Sequence, residues 1–491
     1  MKTLLYPGAV LAAFFLILQP THAAGGTANV VTTFSAPAGV ALNDDFQVQA
    51  RAPGGPWQEV PTYLIKVRAV RGDDALGVER RPESSSMASF DFSGTAEVAV
   101  TFRHGRIHSA RIRPLSYGIQ PVVQGNRLTF PLTQPRNLSI EINGDLFHNL
   151  HLFANAPAPA LPDLKDPHVI YFGPGLHVLP KKHLDVASGQ TVYLAGGAVV
   201  RGSILINWAK NVRVLGHGIL EQSGKGMGAV RISHSANVEV NGLIGSQFFT
   251  GGSRNVTIRN VKCLSYVGNG DGMNVFCSRD VLIDGVFNRN SDDCFTVYGT
   301  RGEFSGSASQ ITLRNSTLWA DVAHPVLIGT HGNAKKPDTL ENITVCNVDI
   351  LDHMEQQLDY QGCLSINVGD NNLVRNVRFE NIRVEDFREG QLLNLRVFFN
   401  RKYCAAPGRG IENVLFKNVS YRGRQANPSI IEGYDDTRKI RNVRFENLSI
   451  NGILISDHMK KPGWFKTSDL AHIYVGEHVE KLQFQSGGNA N

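Results

Sequence analysis

The chain has 491 residues and is 42% hydrophobic and 19% charged, with 49 glycines and a net charge of +6. This composition is that of a folded soluble protein, and the many glycines favour tight turns over long helices. The small positive excess is spread along the chain without a dense Lys/Arg block, which argues against a nucleic-acid partner.

The N-terminal segment, residues 1–24, has the features of a signal peptide. Lys2 supplies the positive end, residues 9–18 form an apolar stretch, and Thr21-His22-Ala23 resembles a cleavage site. The alternative is a membrane anchor, but the apolar stretch is short for a membrane span. We therefore expect a secreted protein, extracellular or periplasmic, with no membrane segment after removal of the leader.

The chain after the leader divides into two regions with different patterns. Residues 25–153 contain runs that alternate apolar and polar residues between Gly and Pro turns, such as AEVAVTF (96–102) and NLSIEI (137–142). This alternation predicts a small antiparallel β-sandwich. Residues 154–167 are rich in Ala and Pro and predict a linker to a second domain, residues 168–491.

One phrase recurs throughout the second domain. Each copy has a polar residue, an alternating apolar triplet and then Asn or Gly, and the copies begin 18 to 37 residues apart. This period and the β-rich phrases predict an all-β solenoid, a parallel β-helix. We expect the recurring Asn to form a side-chain ladder at one corner, which explains it better than glycosylation does. The copies begin at residues 190, 211, 237, 255, 280, 310, 342, 376, 413 and 442.

The six cysteines all lie in the second half of the chain and lack the CxxC pairs of a zinc site. One or two disulfides remain open for an exported protein, although most of these cysteines fit buried thiols equally well. They are Cys263, Cys277, Cys294, Cys346, Cys363 and Cys404.

The coil repeat predicts which polar residues meet. Aligning DGMNVF (271–276), DCFTVY (293–298) and HPVLIG (324–329) places Asp271, Asp293 and His324 in one column on three successive coils. Asp292 lies beside that column. Residues expected nearby are Asn269, Tyr298, Trp319 and His331.

This column predicts a functional site, because a solenoid without one has little reason to stack like charges. Each residue alone has a simpler explanation, since Asp is common in turns and a His before Pro is often structural. Calcium binding is the rival use of three carboxylates. We expect no cofactor and no metal.

The same residues resemble a known family. NGD (269–271), SDD (291–293) and the coil with His324 resemble the Asn-X-Asp, Asp-Asp and Gly-His-Gly motifs of the polygalacturonase family of glycoside hydrolases, and Cys294 fits the same pattern. The resemblance implies a right-handed parallel β-helix that cleaves α-linked galacturonate chains with inversion. It covers residues 166–454.

The domain layout is also similar to that of the related dextranase and isopullulanase family, in which a β-sandwich precedes the β-helix. The segment YFGPG (171–175), followed by VYLAGGAVVRGSI (192–204), is similar to the junction of that family.

The resemblance implies a role for each residue of the column. Asp292 corresponds to the general acid, Asp271 and Asp293 to the pair that holds and activates water, and His324 to the histidine that tunes the acid. Two negative neighbours should raise the pKa of Asp292 while the other carboxylates stay ionised. Stacking at about 4.8 Å is nearer to the carboxylate spacing of retaining enzymes, but we follow the resemblance and predict inversion.

Two departures leave the sugar open. The family's Arg-Ile-Lys motif, which grips the sugar carboxylate, is represented only by Arg396 in NLRVF, with Arg401 and Lys402 as substitutes, and the histidine motif is Ala-His-Pro. We therefore expect Asn269, Tyr298, His331 and Arg396 to bind substrate, with a neutral α-glucan as an alternative to polygalacturonate.

Three functional classes compete. The first is an inverting polysaccharide hydrolase, which we prefer; the others are a calcium-dependent lyase and a non-catalytic glycan-binding solenoid. We expect a monomer. Residues 301–309 and 400–409 are candidate loops for deciding between internal and terminal cleavage of the polysaccharide.

Overall fold

The computed structural model of the protein describes residues 28–71, 79–221, 228–424 and 426–486. The predicted signal peptide lies outside these residues. Within them the protein is nearly all β, as predicted, with one short helix, α1 (Thr467–Leu470), and 3-10 turns at Leu115–Tyr117 and Leu358–Tyr360. None of the described helices has the length and apolar character to cross a membrane.

The first eleven strands form two sheets that face each other. One sheet has the order β1-β5-β11-β10-β7, with β4 also paired to β5, and the other has the order β3-β2-β6-β9-β8. The strands are β1 (Val30–Thr32), β2 (Phe46–Arg51), β3 (Gln58–Val60), β4 (Thr62–Arg71), β5 (Glu79–Ser93), β6 (Ala96–Phe102), β7 (Ala110–Arg113), β8 (Val122–Gln124), β9 (Arg127–Leu132), β10 (Arg136–Ile142) and β11 (Leu150–Asn155).

The core between the two sheets contains alternating residues of both, such as Phe90 and Ile140 from one sheet and Val98 and Phe130 from the other. This is the predicted β-sandwich. Two details differ from the prediction. β11 pairs with β5 in parallel, so the sandwich is not purely antiparallel. In addition, β11 continues to Asn155, two residues into the segment predicted as a linker.

The remaining strands build the parallel β-helix. They are β12 (Val169–Phe172), β13 (Gly175–Asp185), β14 (Thr191–Leu194), β15 (Ala198–Asn207), β16 (Lys210–Gly216), β17 (Ile219–Glu221), β18 (Val230–Ser233), β19 (Ala236–Asn241), β20 (Ile244–Gly245), β21 (Phe248–Gly251), β22 (Arg254–Arg259), β23 (Lys262–Leu264), β24 (Met273–Phe276), β25 (Arg279–Asp284), β26 (Phe287–Asn290), β27 (Phe295–Tyr298), β28 (Ala308–Ala320), β29 (Val326–Ile328), β30 (Thr339–Asp352), β31 (Leu364–Val368), β32 (Leu373–Val384), β33 (Gly390–Gln391), β34 (Leu393–Val397), β35 (Gly410–Tyr421), β36 (Ala426–Asn427), β37 (Ser429–Glu432), β38 (Ile440–Glu446), β39 (Leu448–Ile450), β40 (Ile453–Ile455), β41 (Ile473–Val475) and β42 (Val479–Gln485).

Twenty-nine of these strands join one continuous sheet, in which strands pair in parallel with their equivalents one coil later, except that β40 pairs antiparallel with β39. The apolar residues of each phrase point inward and stack. Phe379, Phe416, Phe445 and Phe484 form one such stack, with ring centroids 4.7 to 4.9 Å apart. This spacing equals the distance between paired strands, so the interior repeats with the backbone. The predicted parallel β-helix is confirmed.

The recurring asparagines form hydrogen-bonded ladders, and they do so at two bends of each coil instead of the single corner that we predicted. In one ladder Asn376 bonds to Asn342 at 3.1 Å and Asn413 bonds to Asn376 at 3.1 Å. In the other, Asn418 bonds to Asn381 at 2.8 Å. All five adopt positive φ, a conformation that Asn tolerates better than most residues. Each ladder therefore satisfies the amide groups where the strand bends.

The sandwich packs against the β-helix beside the coils of the predicted site. Met87 and Phe153 of the sandwich join Phe287 and Trp319 of the helix in one buried cluster. Next to it, Arg289 is fully buried and forms a double ion pair with Asp321 at 2.9 and 3.0 Å. The same guanidinium donates to Asn149 and His151 of the sandwich at 2.9 and 3.1 Å. Because Arg289 lies three residues before Asp292, the sandwich braces the strand that leads into the site.

All six cysteines lie among the described residues, and each has a free thiol. Cys263, Cys294, Cys363 and Cys404 are buried, as expected of thiols stacked in a core.

Candidate active site

Asp271, Asp293 and His324 stand before three strands that lie side by side. β24, β27 and β29 pair in a register that aligns residue 273 with 295 and 295 with 326. Each of the three residues is two positions before its aligned partner, so they occupy successive coils of one column. Gly272 permits this approach, because a Cβ at Gly272 would lie 2.4 Å from the carbonyl oxygen of Cys294.

The Asp293 carboxylate is the centre of a hydrogen-bond network. It accepts hydrogen bonds from the backbone N–H of His324 at 3.1 Å and from the His324 ring at 2.8 Å, and the Tyr298 hydroxyl donates to it at 3.3 Å. The other ring nitrogen of His324 faces the backbone carbonyl of Tyr360. Both ring nitrogens thus face acceptors, which requires a proton on each and makes His324 an imidazolium.

The protonation of His324 follows from competing effects. Burial alone lowers the pKa of His324, but the hydrogen bond and the charge of Asp293 outweigh burial, and the pKa is raised. His353, whose ring centroid lies 6.0 Å away, behaves in the opposite way. It donates to the carbonyl of Ala323 and accepts from the N–H of Gly362, and burial lowers its pKa to about 3. His353 is therefore neutral and positions the backbone beside His324.

The two remaining carboxyls are poised to hold a proton. Burial, followed by the charges of Asp271 and Asp293, raises the pKa of Asp292 well above its usual range. Burial and the charge of Asp293 raise the pKa of Asp271 to about 6, although the Asn274 amide donates to Asp271 at 2.7 Å and opposes this. The Asp292 carboxyl also accepts the backbone N–H of Asp293 at 3.0 Å. Asp292 is the member of the cluster that most favours the protonated form.

Aromatic and basic groups form one side of the site. Tyr298 is buried and packs edge-on against His331 at 4.9 Å. The Arg301 guanidinium lies over the Tyr298 ring at 5.3 Å, and burial together with this positive charge lowers the pKa of His331 to about 3. Arg301 also opposes the rise in the pKa of Asp271, so it delivers a positive charge to the cluster.

The sequence alone gave no indication of Glu355 and Arg301. Glu355 is buried, and its charge raises the pKa values of Asp292 and His324. It accepts hydrogen bonds from the backbone and side chain of Gln357 at 2.8 and 3.1 Å. Both residues lie in loops that the strand repeat does not align, which is why the coil period could not place them.

The structure places the other predicted residues at different distances from the cluster. Asn269 is exposed on the loop that leads to Asp271. Arg396 lies three coils beyond Tyr298, forms an ion pair with Glu432 at 2.9 Å, and donates to the carbonyl of Asp359 at 3.2 Å. Trp319 does not line the site, because it is buried against the sandwich.

Two loops reach the site from later coils. Tyr403 stacks on Tyr360 with centroids 4.5 Å apart, and its hydroxyl bonds to Gln357 at 3.0 Å. Lys402 donates to the same Gln357 oxygen at 3.1 Å, whereas the Arg401 guanidinium lies over Phe399. The segment 400–409 thus packs on Tyr360, whose ring in turn meets His324 edge-on at 4.8 Å. Within the described part of the chain, no three His, Cys, Asp or Glu side chains are arranged to hold a metal ion.

Comparisons with known proteins place this site in a family. The family described as "Glycosyl hydrolases family 28" matches residues 200–462, more than half of the chain and all the coils of the carboxylate column. A probable polygalacturonase from Arabidopsis thaliana is 25% identical over 202 residues, 40% of this chain and 42% of that protein. Endopolygalacturonase B from Aspergillus niger is 27% identical over 169 residues, 34% of this chain and 42% of that protein. The chain therefore matches less than half of the length of either relative.

Among solved structures, Dex49A from Penicillium minioluteum has a TM-score of 0.52 at 15% identity, and the match covers 86% of this chain and 91% of that chain. At this identity the likeness concerns the fold alone. The family match covers more than half of the chain, including the coils that carry the three carboxylates. The chain therefore belongs to glycosyl hydrolases family 28.

Proposed function

We propose that this protein is a secreted glycosidase that hydrolyses an α-linked, polygalacturonase-like polysaccharide with inversion at the anomeric carbon. The observation that carries the proposal is the contrast between the surroundings of Asp292 and Asp293, two adjacent carboxyls in one cluster with Asp271. Asp292 has a pKa raised well above its usual range, while Asp293 receives three hydrogen bonds from His324 and Tyr298. Adjacent carboxyls that differ in this way suit one acid and one base.

Asp292 is the proposed general acid. Its proton passes to the glycosidic oxygen as the bond from that oxygen to the anomeric carbon breaks. A water held by Asp271 and Asp293 attacks the same carbon from the opposite face and gives its proton to that carboxylate pair. The pKa of Asp271, about 6, is near the pH at which a base is most effective. His324 acts on this pair through Asp293, so it is a positioning residue.

The substrate-binding roles follow the positions of the side chains. Tyr298 and His331 form the wall next to the carboxylates, and Asn269 is exposed on the adjoining loop. Arg396 belongs to a more distant position along the groove, because it is three coils from Tyr298. Secretion is proposed from the leader-like residues 1–24.

A neutral α-glucan is the second candidate substrate. On β31, the strand one coil after β29, the positions that alternate with the core residues are Ser365 and Asn367, and both are buried. Neither carries a charge, so this coil lacks the basic pair that would grip a sugar carboxylate. The absence of a basic pair on this coil favours a dextran- or pullulan-like chain, whereas the positive charge that Arg301 brings to the cluster favours an acidic sugar.

The test is a reducing-sugar screen of the wild type and Asp292→Asn on polygalacturonate, methylated pectin, dextran and pullulan. We expect the wild type to release reducing ends from at least one polymer and the variant to be slower by roughly 10²- to 10⁴-fold, the usual contribution of a general acid. Proton NMR of the first product should show the β-anomer, since inversion of an α-linkage produces it. Asp436→Asn is the control, because Asp436 is 90% exposed.

Other outcomes would identify the competing classes. If Asp292→Asn cleaved the polymer at the wild-type rate, Asp292 would not be the general acid. Release of the α-anomer would replace inversion with retention. Ultraviolet-absorbing unsaturated products that disappear on chelation would indicate a lyase, and binding without any new reducing ends would indicate a non-catalytic solenoid.

A further inference from the structure

A second surface feature lies away from the carboxylates, where β15 and β18 end. Trp208 is 76% exposed and stacks on the His234 ring, with centroids 4.3 Å apart. His234 in turn packs on the buried ring of Phe304 at 5.0 Å. Gly252, at φ +56°, leaves room for this stack, because a Cβ there would lie 2.7 Å from the His234 ring. Trp208 is thus held from behind and presents its other face to solvent.

Trp208 lines a surface cavity of about 350 Å³. Three cationic side chains line the same cavity: Lys210, Arg254 and Arg279. They stand in one column, because Lys210 and Arg254 both pair with Ala236, and Arg254 pairs with Arg279. Arg254 and Arg279 are one coil apart, about 4.8 Å. Over the residues that the structure describes, no acidic side chain forms an ion pair with any of the three. Like charges stacked so closely destabilise a sheet.

The same column is charged differently farther along the helix. Beyond Ser309 it continues as Glu341, Arg375, Glu412, Arg441 and Glu480. There the signs alternate, and ion pairs join neighbouring coils at 2.7 Å (Arg375–Glu341), 3.4 Å (Arg441–Glu412) and 3.1 Å (Arg441–Glu480). The solenoid therefore balances charge in the C-terminal part of the column and leaves only positive charge beside Trp208.

We propose that Trp208, His234, Lys210, Arg254 and Arg279 form a second polysaccharide-binding site, for a chain that carries carboxylates. The C–H face of a sugar ring would cover the free face of Trp208, which removes apolar surface from water. The sugar carboxylates would then neutralise the column of cations. The nearby Arg231 does not add to this charge, because Glu303 pairs with it at 2.6 Å.

This site is separate from the carboxylate cluster. Asn207, the residue before Trp208, lies four coils from Tyr298 in the strand register, about 19 Å along the helix. The second binding site extends the proposed function. It rests on that function in one respect, since the polymer bound there is taken to be the substrate. The site would hold one part of a long acidic chain while another part reaches Asp292.

The experiment measures binding of polygalacturonate and of dextran in the Asp292→Asn background, in which we expect cleavage to be slowed by roughly 10²- to 10⁴-fold. Isothermal titration at low and high salt is compared for that parent, for Trp208→Ala and for Arg279→Glu. Each variant should weaken polygalacturonate binding roughly tenfold at low salt, with a smaller difference at high salt. Arg279→Glu should not lower the Tm, because the new carboxylate faces Arg254 as Glu341 faces Arg375. Dextran should bind much more weakly than polygalacturonate.

Matched controls distinguish this site from general surface effects. Trp464 is 82% exposed and packs against Phe465 in a tilted arrangement, with centroids 4.2 Å apart, so Trp464→Ala removes an exposed ring elsewhere and should bind as the parent does. Lys417→Gln removes an exposed cation on another coil and should have the same result.

Parental affinity in Trp208→Ala or Arg279→Glu would overturn the proposal, as would equal binding of dextran. A shift from dimer to monomer in Trp208→Ala, measured by sedimentation, would assign the surface to a second copy of the chain and overturn it too. Because no cleavage is needed, these results are independent of the hydrolysis screen. A protein inert on every polymer would refute the proposed function without changing the binding comparison.

Discussion

The imidazole of His324 lies between two acceptors, the Asp293 carboxylate 2.8 Å from Nδ1 and the backbone carbonyl of Tyr360 at Nε2. This arrangement raises the pKa of His324 and favours a positive charge next to Asp293. His353, whose ring centroid lies 6.0 Å from that of His324, accepts a backbone N–H and is neutral. The two buried histidines therefore have different charges because their hydrogen-bond partners differ, not because their burial differs.

Replacement of His324 tests the role of this charge. His324→Gln removes the positive charge that stabilises the negative charges of the carboxylate cluster. We expect kcat/KM to fall by roughly 10²-fold, and the acidic limb of its pH profile to move to higher pH. Unchanged limbs with reduced activity would indicate a purely structural role.

The raised pKa of Asp271 should make the free energy of unfolding depend on pH. Asp271 has a pKa of about 6 in the folded protein, against 3.8 for an ordinary aspartate, so its contribution to stability is fully present below about pH 4 and is lost as the pH rises through 6. Asp271→Asn should therefore be more stable than the wild type at pH 7.5, by about 1–3 kcal/mol, and equally stable near pH 4. Urea denaturation at both pH values measures this, and a variant that is less stable at pH 7.5 would contradict it.

Glu355 should influence the acid without touching the substrate. Its charge raises the pKa of Asp292, so Glu355→Gln should lower that pKa. The alkaline limb of kcat/KM, where the acid loses its proton, should then move to lower pH. Glu355 bonds to Gln357, so Gln357→Glu serves as a comparison that adds negative charge at nearly the same place and should move the limb the other way.

Arg289 should make the sandwich and the β-helix unfold together. Arg289→Met leaves the buried Asp321 with only its longer ion pair to Arg388 at 3.6 Å and should cost up to about 3–5 kcal/mol. Arg289→Met/Asp321→Leu should lose less than the single variant, because no unpaired charge remains. Calorimetry of the wild type should give one transition, and two separate transitions would contradict the bracing role of the interface.

The ladder asparagines are constrained both by their positive φ and by their side-chain hydrogen bonds. Substitutions at Asn376 can distinguish the two effects. Asn376 has φ +56° and bonds to its neighbours on both sides. Asn376→Gly keeps the backbone conformation and loses only the hydrogen bonds, whereas Asn376→Ala loses both. We expect the Ala variant to be less stable than the Gly variant by about 1 kcal/mol, as measured by thermal unfolding.

Much of the fold and the core of the site could be predicted, because both depend on strand periodicity. The alignment of DGMNVF, DCFTVY and HPVLIG was enough to bring Asp271, Asp293 and His324 onto successive coils. Arg301 and Glu355 could not be placed in this way, since each lies in a loop whose path depends on tertiary packing. Trp319 was assigned to the wrong surface because the strand pattern does not reveal which face of the solenoid the sandwich covers.

The ladders have a consequence for how this architecture tolerates change. Successive ladder partners are separated by as few as 18 and as many as 37 residues, yet their amides meet at 2.9 and 3.1 Å. Extra residues are accommodated outside the repeating cross-section, so segments such as 301–306 and 400–409 can be lengthened, shortened or exchanged while the columns stay aligned. Substrate preference can thus diversify, in evolution or in the laboratory, without redesign of the scaffold that holds the proposed acid and base.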